Sequence, residues 1–120
     1  MNIFESGEDY LETILFLSKK QEHVRSIDVV NARSFSKASI SVAMKKLKDQ
    51  GYINIDDNGF IYLTDEGLEI ANKISERHNV IAELFISLGV KKDIAYKDAC
   101  KIEHDISDET FSAIKNRTKN

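Results

Sequence analysis

The sequence predicts a mainly α-helical fold with one small β-hairpin, in which a winged helix-turn-helix is followed by further helices. Three observations predict it. Apolar residues recur at helical spacing through most of the 120 residues. Two helical patterns lie close together between residues 27 and 50, as in a helix-turn-helix. Directly after them, Asn58-Gly59 separates two short apolar segments, which is typical of a β-hairpin.

The first element is a helix from about Glu5 to Gln21 with one broad apolar face. Asp9 and Glu12 lie three residues apart, point away from that face and form a pair of carboxylates. Phe16 follows Glu12 by four residues, so the carboxylates share their side of the helix with an aromatic ring. We therefore expect another part of the protein to cover that side.

The helix-turn-helix consists of a short helix at about residues 27–32, capped by Ser26, and a longer one at about residues 37–50, capped by Ser36. Arg33-Ser34-Phe35 forms the turn between them. The second helix buries an apolar stripe and turns hydroxyl and ammonium groups outward, where they can reach base edges and phosphates. The residues that we expect to contact DNA are Arg25, Ser36, Lys37, Ser39, Ser41, Lys45 and Lys46.

The hairpin would form the wing. Its strands are expected at about residues 52–55 and 60–63, after Gly51 ends the preceding helix. A plain amphipathic surface helix would also fit the two-helix pattern, and the hairpin favours the winged form. Asp56 and Asp57 at the tip disfavour close phosphate contact, so we expect the wing to touch DNA weakly or only at its edge.

The charge distribution favours a polyanionic partner. The whole chain carries a net charge of −3. Residues 19–50 hold eight basic and three acidic side chains, a net charge of +5, whereas the segments on either side sum to −4 each. A basic middle between acidic flanks is typical of a nucleic-acid-binding surface. A solvated charged surface gives the same distribution, so charge alone does not decide between them.

The rest of the chain predicts three helices, with Thr64 and Ser107 as caps of the first and the last. The apolar seam of the long first helix is interrupted by His78 and ends at Leu88. This pattern divides the chain into a DNA-binding domain at residues 1–64 and a helical domain at residues 65–120. The approximate helix bounds are 65–88, 93–105 and 108–117.

Cys100, Glu103 and His104 form the most distinctive cluster. On a helix, their spacing puts a thiol, a carboxylate and an imidazole on one face. Such donors suit a transition metal, and three ligands leave coordination positions for partners elsewhere. The single cysteine excludes an internal disulfide and favours a reducing cytoplasm. We expect no membrane span and no secretion signal, because no apolar segment of the required kind is present.

The order of these motifs resembles the metal-dependent repressors of the diphtheria-toxin-repressor type, especially the short manganese-responsive transport regulators. The resemblance covers nearly the whole chain and implies a winged helix-turn-helix DNA-binding domain, then a helical dimerisation domain, with divalent metal as co-repressor. The stretches that carry it are Ser6-Gly7-Glu8-Asp9-Tyr10-Leu11-Glu12, Arg77-His78 and Asp98-Ala99-Cys100-Lys101-Ile102-Glu103-His104-Asp105-Ile106-Ser107-Asp108-Glu109.

Carried over position by position, the resemblance implies metal ligands. The manganese-type branch has glutamate where Cys100 stands, whereas the iron-type branch has cysteine there but methionine where Asp9 stands. A thiolate favours softer or borderline ions, so this mixed set implies Mn(II) or Fe(II) as the physiological ion, with Zn(II) or Co(II) binding in vitro. The implied ligands are Asp9, Glu12, His78, Cys100, Glu103 and His104.

The resemblance also implies a cytoplasmic homodimer that binds a palindromic operator in double-stranded DNA and represses metal-ion uptake genes. We expect no enzymatic activity, no membrane partner and no small organic substrate.

Three alternatives use the same residues differently. A winged-helix regulator could respond to an organic ligand, or to oxidation of Cys100, instead of a metal. A Cys-His hydrolase could use Cys100 with a histidine, but no oxyanion loop is evident. A helical protein-interaction module would not contact DNA.

Overall fold

The computed structural model describes residues 5–33 and 36–118. The chain forms two compact units, Met1–Asn72 and Lys73–Asn120. None of the helices in the described ranges is long and apolar enough to cross a membrane. The predicted fold class is confirmed, and the elements follow in the order α1 (Glu5–Lys20), α2 (Ser26–Arg33), α3 (Lys37–Asp49), β1 (Ile53–Ile55), β2 (Ile61–Leu63), α4 (Asp65–Ser87), α5 (Lys92–Ile102) and α6 (Asp108–Thr118).

The first unit packs helices α1, α2 and α3 and the hairpin around one apolar core. The buried positions of α3 recur at three- and four-residue spacing, so its opposite face is left to solvent. The residues of this core that are almost completely buried include Leu11, Ile14, Ile40, Leu47 and Ile53.

The hairpin places β1 antiparallel to β2, with Asn54 opposite Tyr62 at its centre. Its turn uses Gly59, whose φ of +81° lies in the left-handed region that favours glycine. The backbone N–H of Ile61 also donates to the carbonyl of Val24 at 2.7 Å. The segment before α2 is thereby tied to the wing.

The junction between the hairpin and α4 is closely packed. Thr64 caps α4 as predicted: its Oγ1 accepts the N–H of Gly67 at 3.1 Å and donates to the carbonyl of Gly51 at 2.7 Å. A Cβ atom at Gly67 would lie 2.0 Å from the carbonyl oxygen of Tyr52. Only glycine therefore lets α4 start so close to the hairpin.

The second unit has a small apolar core between α4 and α5. Alanines on both helices keep this core compact, and larger residues such as Phe85 pack against it while partly exposed. Two polar residues of this unit, Arg77 and Glu103, are buried as well. The buried residues that form the core cluster are Ile81, Ala82, Ala95 and Ala99.

Two predicted helix ends are wrong. Ser26 is the first residue of α2 rather than its cap. The carboxylate of Asp28 instead accepts the backbone N–H of Arg25 at 2.9 Å, as in one half of a capping box. Helix α5 ends at Ile102 instead of continuing to residue 105, although Glu103 keeps helical backbone angles. Its neighbour His104 lies in the turn that follows.

Two predictions of burial are also wrong. Phe16 is 54% exposed, and the Lys20 ammonium lies 4.2 Å from its ring centroid. Leu88, predicted to end the buried seam of α4, follows that helix and is 72% exposed. The turn predicted at residues 33–35 includes Ser34 and Phe35, which lie outside the described residues. The domain boundary after residue 64 stays a prediction.

Candidate metal centre and nucleic-acid interface

The second unit brings together three of the predicted metal ligands. His78 lies on α4, Cys100 on the last turn of α5, and Glu103 at the C-cap of α5. One donor atom from each of the three residues can be chosen so that all lie within 4.8 Å of one another. Because these donor atoms lie so close together, the thiol and the carboxylate both face the side of α4 that carries His78.

Glu103 is the centre of this cluster. Its side chain is completely buried, and its Oε2 lies 2.8 Å from Nδ1 of His78. The second oxygen, Oε1, lies 3.5 Å from Nε2 of His104, which is almost completely buried as well. Within the described part of the chain, no hydrogen bond reaches Oε1.

These residues fit a divalent transition metal. A buried carboxylate oxygen without a hydrogen bond is costly, and a cation beside it removes that cost. Imidazole nitrogen, thiolate sulfur and carboxylate oxygen together suit ions of borderline softness. The three donors come from two different elements, so a bound ion would link α4 to the end of α5. The cluster is therefore a candidate metal centre.

The remaining predicted ligands belong to other segments of the chain. His104 follows Glu103 directly, in the turn after α5. Asp9 and Glu12 lie on α1 in the first unit, where both residues are half-buried. Their spacing of three residues on a regular helix keeps the two carboxylates on one side, as the sequence predicts. Their role as ligands stays a prediction.

The solvent face of α3 carries most of the predicted DNA contacts. Lys37, Ser41, Lys45 and Lys46 are exposed there, while the apolar positions face the core. No acidic residue lies in the first turn of α3. This face is a candidate nucleic-acid interface.

Two of the residues predicted to contact DNA, Ser36 and Ser39, form hydrogen bonds at the start of α3. The Oγ of Ser36 accepts the backbone N–H of Ser39 at 3.1 Å and donates to the Ser39 hydroxyl at 2.7 Å. Ser36 is therefore the N-cap that the sequence predicts. Both residues remain exposed, so a hydroxyl lone pair is still open to solvent.

Arg25 lies beside the wing rather than on α3. Its guanidinium carbon lies 4.7 Å from the ring centroid of Phe60, and the imidazole of His23 stacks on the same ring with centroids 4.1 Å apart. This cation–π contact holds the exposed guanidinium next to the hairpin. The role of Phe60 is not predicted from the sequence, because the contact joins residues 35 positions apart.

Val42 is a second residue at this surface that was not among the predicted DNA contacts. It is 71% exposed on α3, one residue after Ser41 and three before Lys45. An apolar side chain in the middle of a polar recognition surface can contact the methyl group of thymine. The sequence could have indicated this exposure, because Val42 does not continue the helical row of buried residues that begins at Ile40.

The winged helix and the donor cluster together define a class of protein, the metal-responsive DNA-binding regulators. Residues 2–59 match the N-terminal DNA binding domain of the iron dependent repressors, and residues 64–120 match their metal binding and dimerisation domain. The chain belongs to the iron-dependent repressor family. The predicted family is therefore confirmed, and a metal signal is favoured over an organic ligand or oxidation of Cys100.

Individual relatives agree with this family. An uncharacterized HTH-type transcriptional regulator of Methanocaldococcus jannaschii is 33% identical over 113 residues, which are 92% of this chain and 90% of the relative. The transcriptional regulator MntR of Escherichia coli O6:H1 is 31% identical over 108 residues, which are 90% of this chain and 70% of the relative.

A solved structure, a manganese-dependent transcriptional repressor in complex with manganese, is 26% identical to this chain. It superposes with a TM-score of 0.86 over 94% of this chain. This chain spans only about half of the solved protein, 52% of its length.

Proposed function

We propose that this protein is a metal-activated repressor of genes for metal-ion uptake, working in the cytoplasm as a homodimer on a palindromic operator. The observation that carries the proposal is the convergence of His78, Cys100 and the buried Glu103 in a chain that also has a winged helix-turn-helix with an exposed basic face. A metal-binding cluster supplies the sensor, and the basic helix supplies the DNA contact.

The proposed ligand set is larger than this cluster. The resemblance in sequence adds Asp9, Glu12 and His104 to His78, Cys100 and Glu103. A bound divalent ion supplies positive charge that offsets the repulsion between the carboxylates. Coordination requires the thiolate form of Cys100 and an imidazole with a free lone pair at His78 and His104, so these side chains must release protons.

The proposed physiological ion is Mn(II) or Fe(II). Carboxylates and imidazoles suit Mn(II), and the thiolate of Cys100 shifts the preference toward Fe(II) and softer ions. The solved relative described with manganese supports the first choice. Zn(II) and Co(II) should bind at least as tightly in vitro, because affinity at a given set of donors rises along the divalent series.

Regulation follows from the distribution of the ligands along the chain. Asp9 and Glu12 belong to the predicted DNA-binding domain, whereas the other ligands belong to the helical domain. Coordination of one ion by ligands from both domains would make the metal bind more tightly to the form of the protein that binds DNA. Each ten-fold preference of the metal for that form is worth ~1.4 kcal/mol.

The proposed dimer uses the second unit. The matched family domain is one of dimerisation, and this unit exposes large apolar side chains at Ile86, Leu88 and Ile94. Such residues are commonly covered at homodimer interfaces. A two-fold dimer presents two α3 helices, which accounts for a palindromic operator in double-stranded DNA.

The proposal leaves no catalytic role for Cys100. Its thiol belongs to a cluster of metal donors with His78 and Glu103, and the family consists of transcriptional regulators. We propose that the protein is not an enzyme and acts on no small organic substrate. A substrate that the unchanged protein turns over and Cys100→Ser does not would contradict this.

The experiment that tests the metal site is an anaerobic Co(II) titration of the reduced protein, followed by absorbance. Cobalt reports sulfur ligation through a charge-transfer band. We expect a saturable band that Cys100→Ser abolishes and Asp9→Ala weakens. Glu83→Ala, which removes an exposed carboxylate from α4, is the matched control and should leave the titration unchanged. No saturable binding by the unchanged protein would overturn the metal assignment.

A second measurement tests the link to DNA. Fluorescence anisotropy with a labelled fragment selected from a random DNA library should report binding with Mn(II) and its loss on addition of a chelator. Binding that ignores the chelator would favour the alternative of an organic ligand or an oxidation signal.

A further inference from the structure

Arg77 is a buried cation that is not one of the predicted metal ligands. It precedes His78 on α4 and is only 6% exposed. Its Nη1 donates hydrogen bonds to the backbone carbonyls of Glu103 at 3.0 Å and Ile106 at 2.9 Å. Its Nη2 pairs with the carboxylate of Asp108 at the start of α6. One guanidinium thus joins α4, the turn after α5 and α6.

The packing around Arg77 fixes the plane of its guanidinium. The guanidinium carbon lies 5.2 Å from the ring centroid of Phe111, which is itself buried on α6. A planar cation held by an aromatic ring and three hydrogen bonds has little freedom to rotate. The carbonyls that it binds are therefore held at fixed positions.

The position of these carbonyls matters because Glu103 and His104 lie in the turn. Helix α5 ends at Ile102, so the carbonyls that follow have no helical partner. Arg77 satisfies the carbonyl of Glu103 and places a positive charge at the negative end of α5. His78 binds the other end of the same residue, because its Nδ1 lies 2.8 Å from Oε2 of Glu103.

We propose that Arg77 is a positioning residue of the metal centre. It holds the turn of residues 103–106 in the conformation that aims the Glu103 carboxylate and the His104 imidazole at the ion, before any metal binds. This inference rests on the proposed function. Outer contacts that orient ligands commonly change metal affinity by about 10–100-fold.

The test compares Co(II) binding by the whole protein and by Arg77→Met and Arg77→Lys. We expect Arg77→Met to bind Co(II) about 10–100-fold more weakly, with an altered d–d spectrum. Arg77→Lys should fall between it and the unchanged protein, because an ammonium cannot reproduce the planar fork of donors. Affinity and spectrum are measured at a temperature where circular dichroism reports the folded metal-free protein.

Two controls separate positioning from general stability. Ile81→Val removes one methyl group from the core of the second unit and should lower the unfolding temperature without changing Co(II) affinity. Lys115→Met removes the exposed ion pair with Glu76, 3.1 Å, which also joins α6 to α4. It should change neither quantity much.

The outcomes are distinct. Unchanged affinity and an unchanged spectrum in Arg77→Met would overturn the role of Arg77 while leaving the proposed function intact. No saturable Co(II) binding by the unchanged protein would overturn the proposed function itself. If Arg77→Met does not fold, Asp108→Asn replaces it. This variant frees one edge of the guanidinium and should weaken Co(II) binding severalfold, and unchanged binding would again contradict the proposal.

Discussion

The two units of this protein are stabilised in different ways. The first has an extended apolar core in which large side chains from α1, α3 and the hairpin interdigitate. The core cluster of the second consists, in the described residues, of one isoleucine and three alanines, and beside it lie the buried polar residues Arg77 and Glu103. Hydrophobic burial scales with apolar area, so the second unit gains less from its core. It depends more on hydrogen bonds and charge.

This difference suits a sensor. A unit with a small apolar core and a buried carboxylate can gain substantial stability when a cation binds to that carboxylate. A helix that packs into a large apolar core, as α3 does, opens less readily. We therefore expect the response to metal to be concentrated in the second unit and at α1, while α3 keeps a constant recognition surface.

The strongest way to break the first unit is to change Gly67. Gly67→Ala places a Cβ atom 2.0 Å from the carbonyl oxygen of Tyr52, and neither backbone can move without disturbing the Thr64 cap. We expect a loss of about 3 kcal/mol in the free energy of unfolding, measured by urea denaturation. Gly59→Ala has an open site and only the strain of positive φ, so it should cost about 1 kcal/mol. Equal losses would contradict the close approach.

Metal binding should stabilise the second unit more than the first. With Co(II) at about 100 times its dissociation constant, the folded protein gains about 2.7 kcal/mol. Hydrogen exchange followed by mass spectrometry should slow in α5 and in the turn of residues 103–106, and remain unchanged in α3. Cys100→Ser should remove the effect. Slowing at α3 equal to that at α5 would show that the two units do not differ in this way.

The sequence predicts local features well because their causes are local. The caps Ser36, Thr64 and Ser107 each bind a backbone N–H three residues ahead, and all three are found as predicted. Asn58-Gly59 likewise forms its turn from residues that are adjacent in sequence. These are contacts that a short window of sequence contains.

Contacts between distant residues could not be predicted in this way. The bond from Arg77 to the carbonyl of Glu103 spans 26 residues, and the need for glycine at Gly67 depends on where Tyr52 lies. The spacing of Cys100 and Glu103 predicts that they share a face, but only the resemblance linked His78 to them. The end of α5 at Ile102 was missed because tertiary bonds to the following carbonyls compete with further helix.

Among the described residues, each unit has one aliphatic side chain that is mostly exposed, Val42 at 71% and Leu88 at 72%. We propose that the first faces DNA and the second a partner subunit. Leu88→Glu should weaken the dimer at least ten-fold, about 1.4 kcal/mol, by sedimentation velocity. Val42→Glu should weaken DNA binding by anisotropy and leave the dimer intact. If Leu88→Glu weakened DNA binding and Val42→Glu weakened the dimer, the two assignments would have to be exchanged. If neither variant changed either quantity, both assignments would be wrong.

The smallest expected effect concerns Asp108. The ammonium of Lys73, 3.3 Å away, and then the guanidinium of Arg77 lower the pKa of this exposed carboxyl below its ordinary value of 3.8. A carboxyl with a lowered folded pKa binds fewer protons in the folded state, so it stabilises the fold above its unfolded pKa. That contribution is lost as the pH falls through the folded pKa.

The measurement is urea unfolding of the unchanged protein and of Asp108→Asn from neutral pH to about pH 2. We expect the unchanged protein to be slightly more stable at neutral pH and the difference to shrink below the ordinary pKa of aspartate. Because Asp108 is exposed, salt should reduce the neutral-pH difference as well. If the difference does not change with pH, Asp108 stabilises the fold through side-chain packing and hydrogen bonding rather than through its charge.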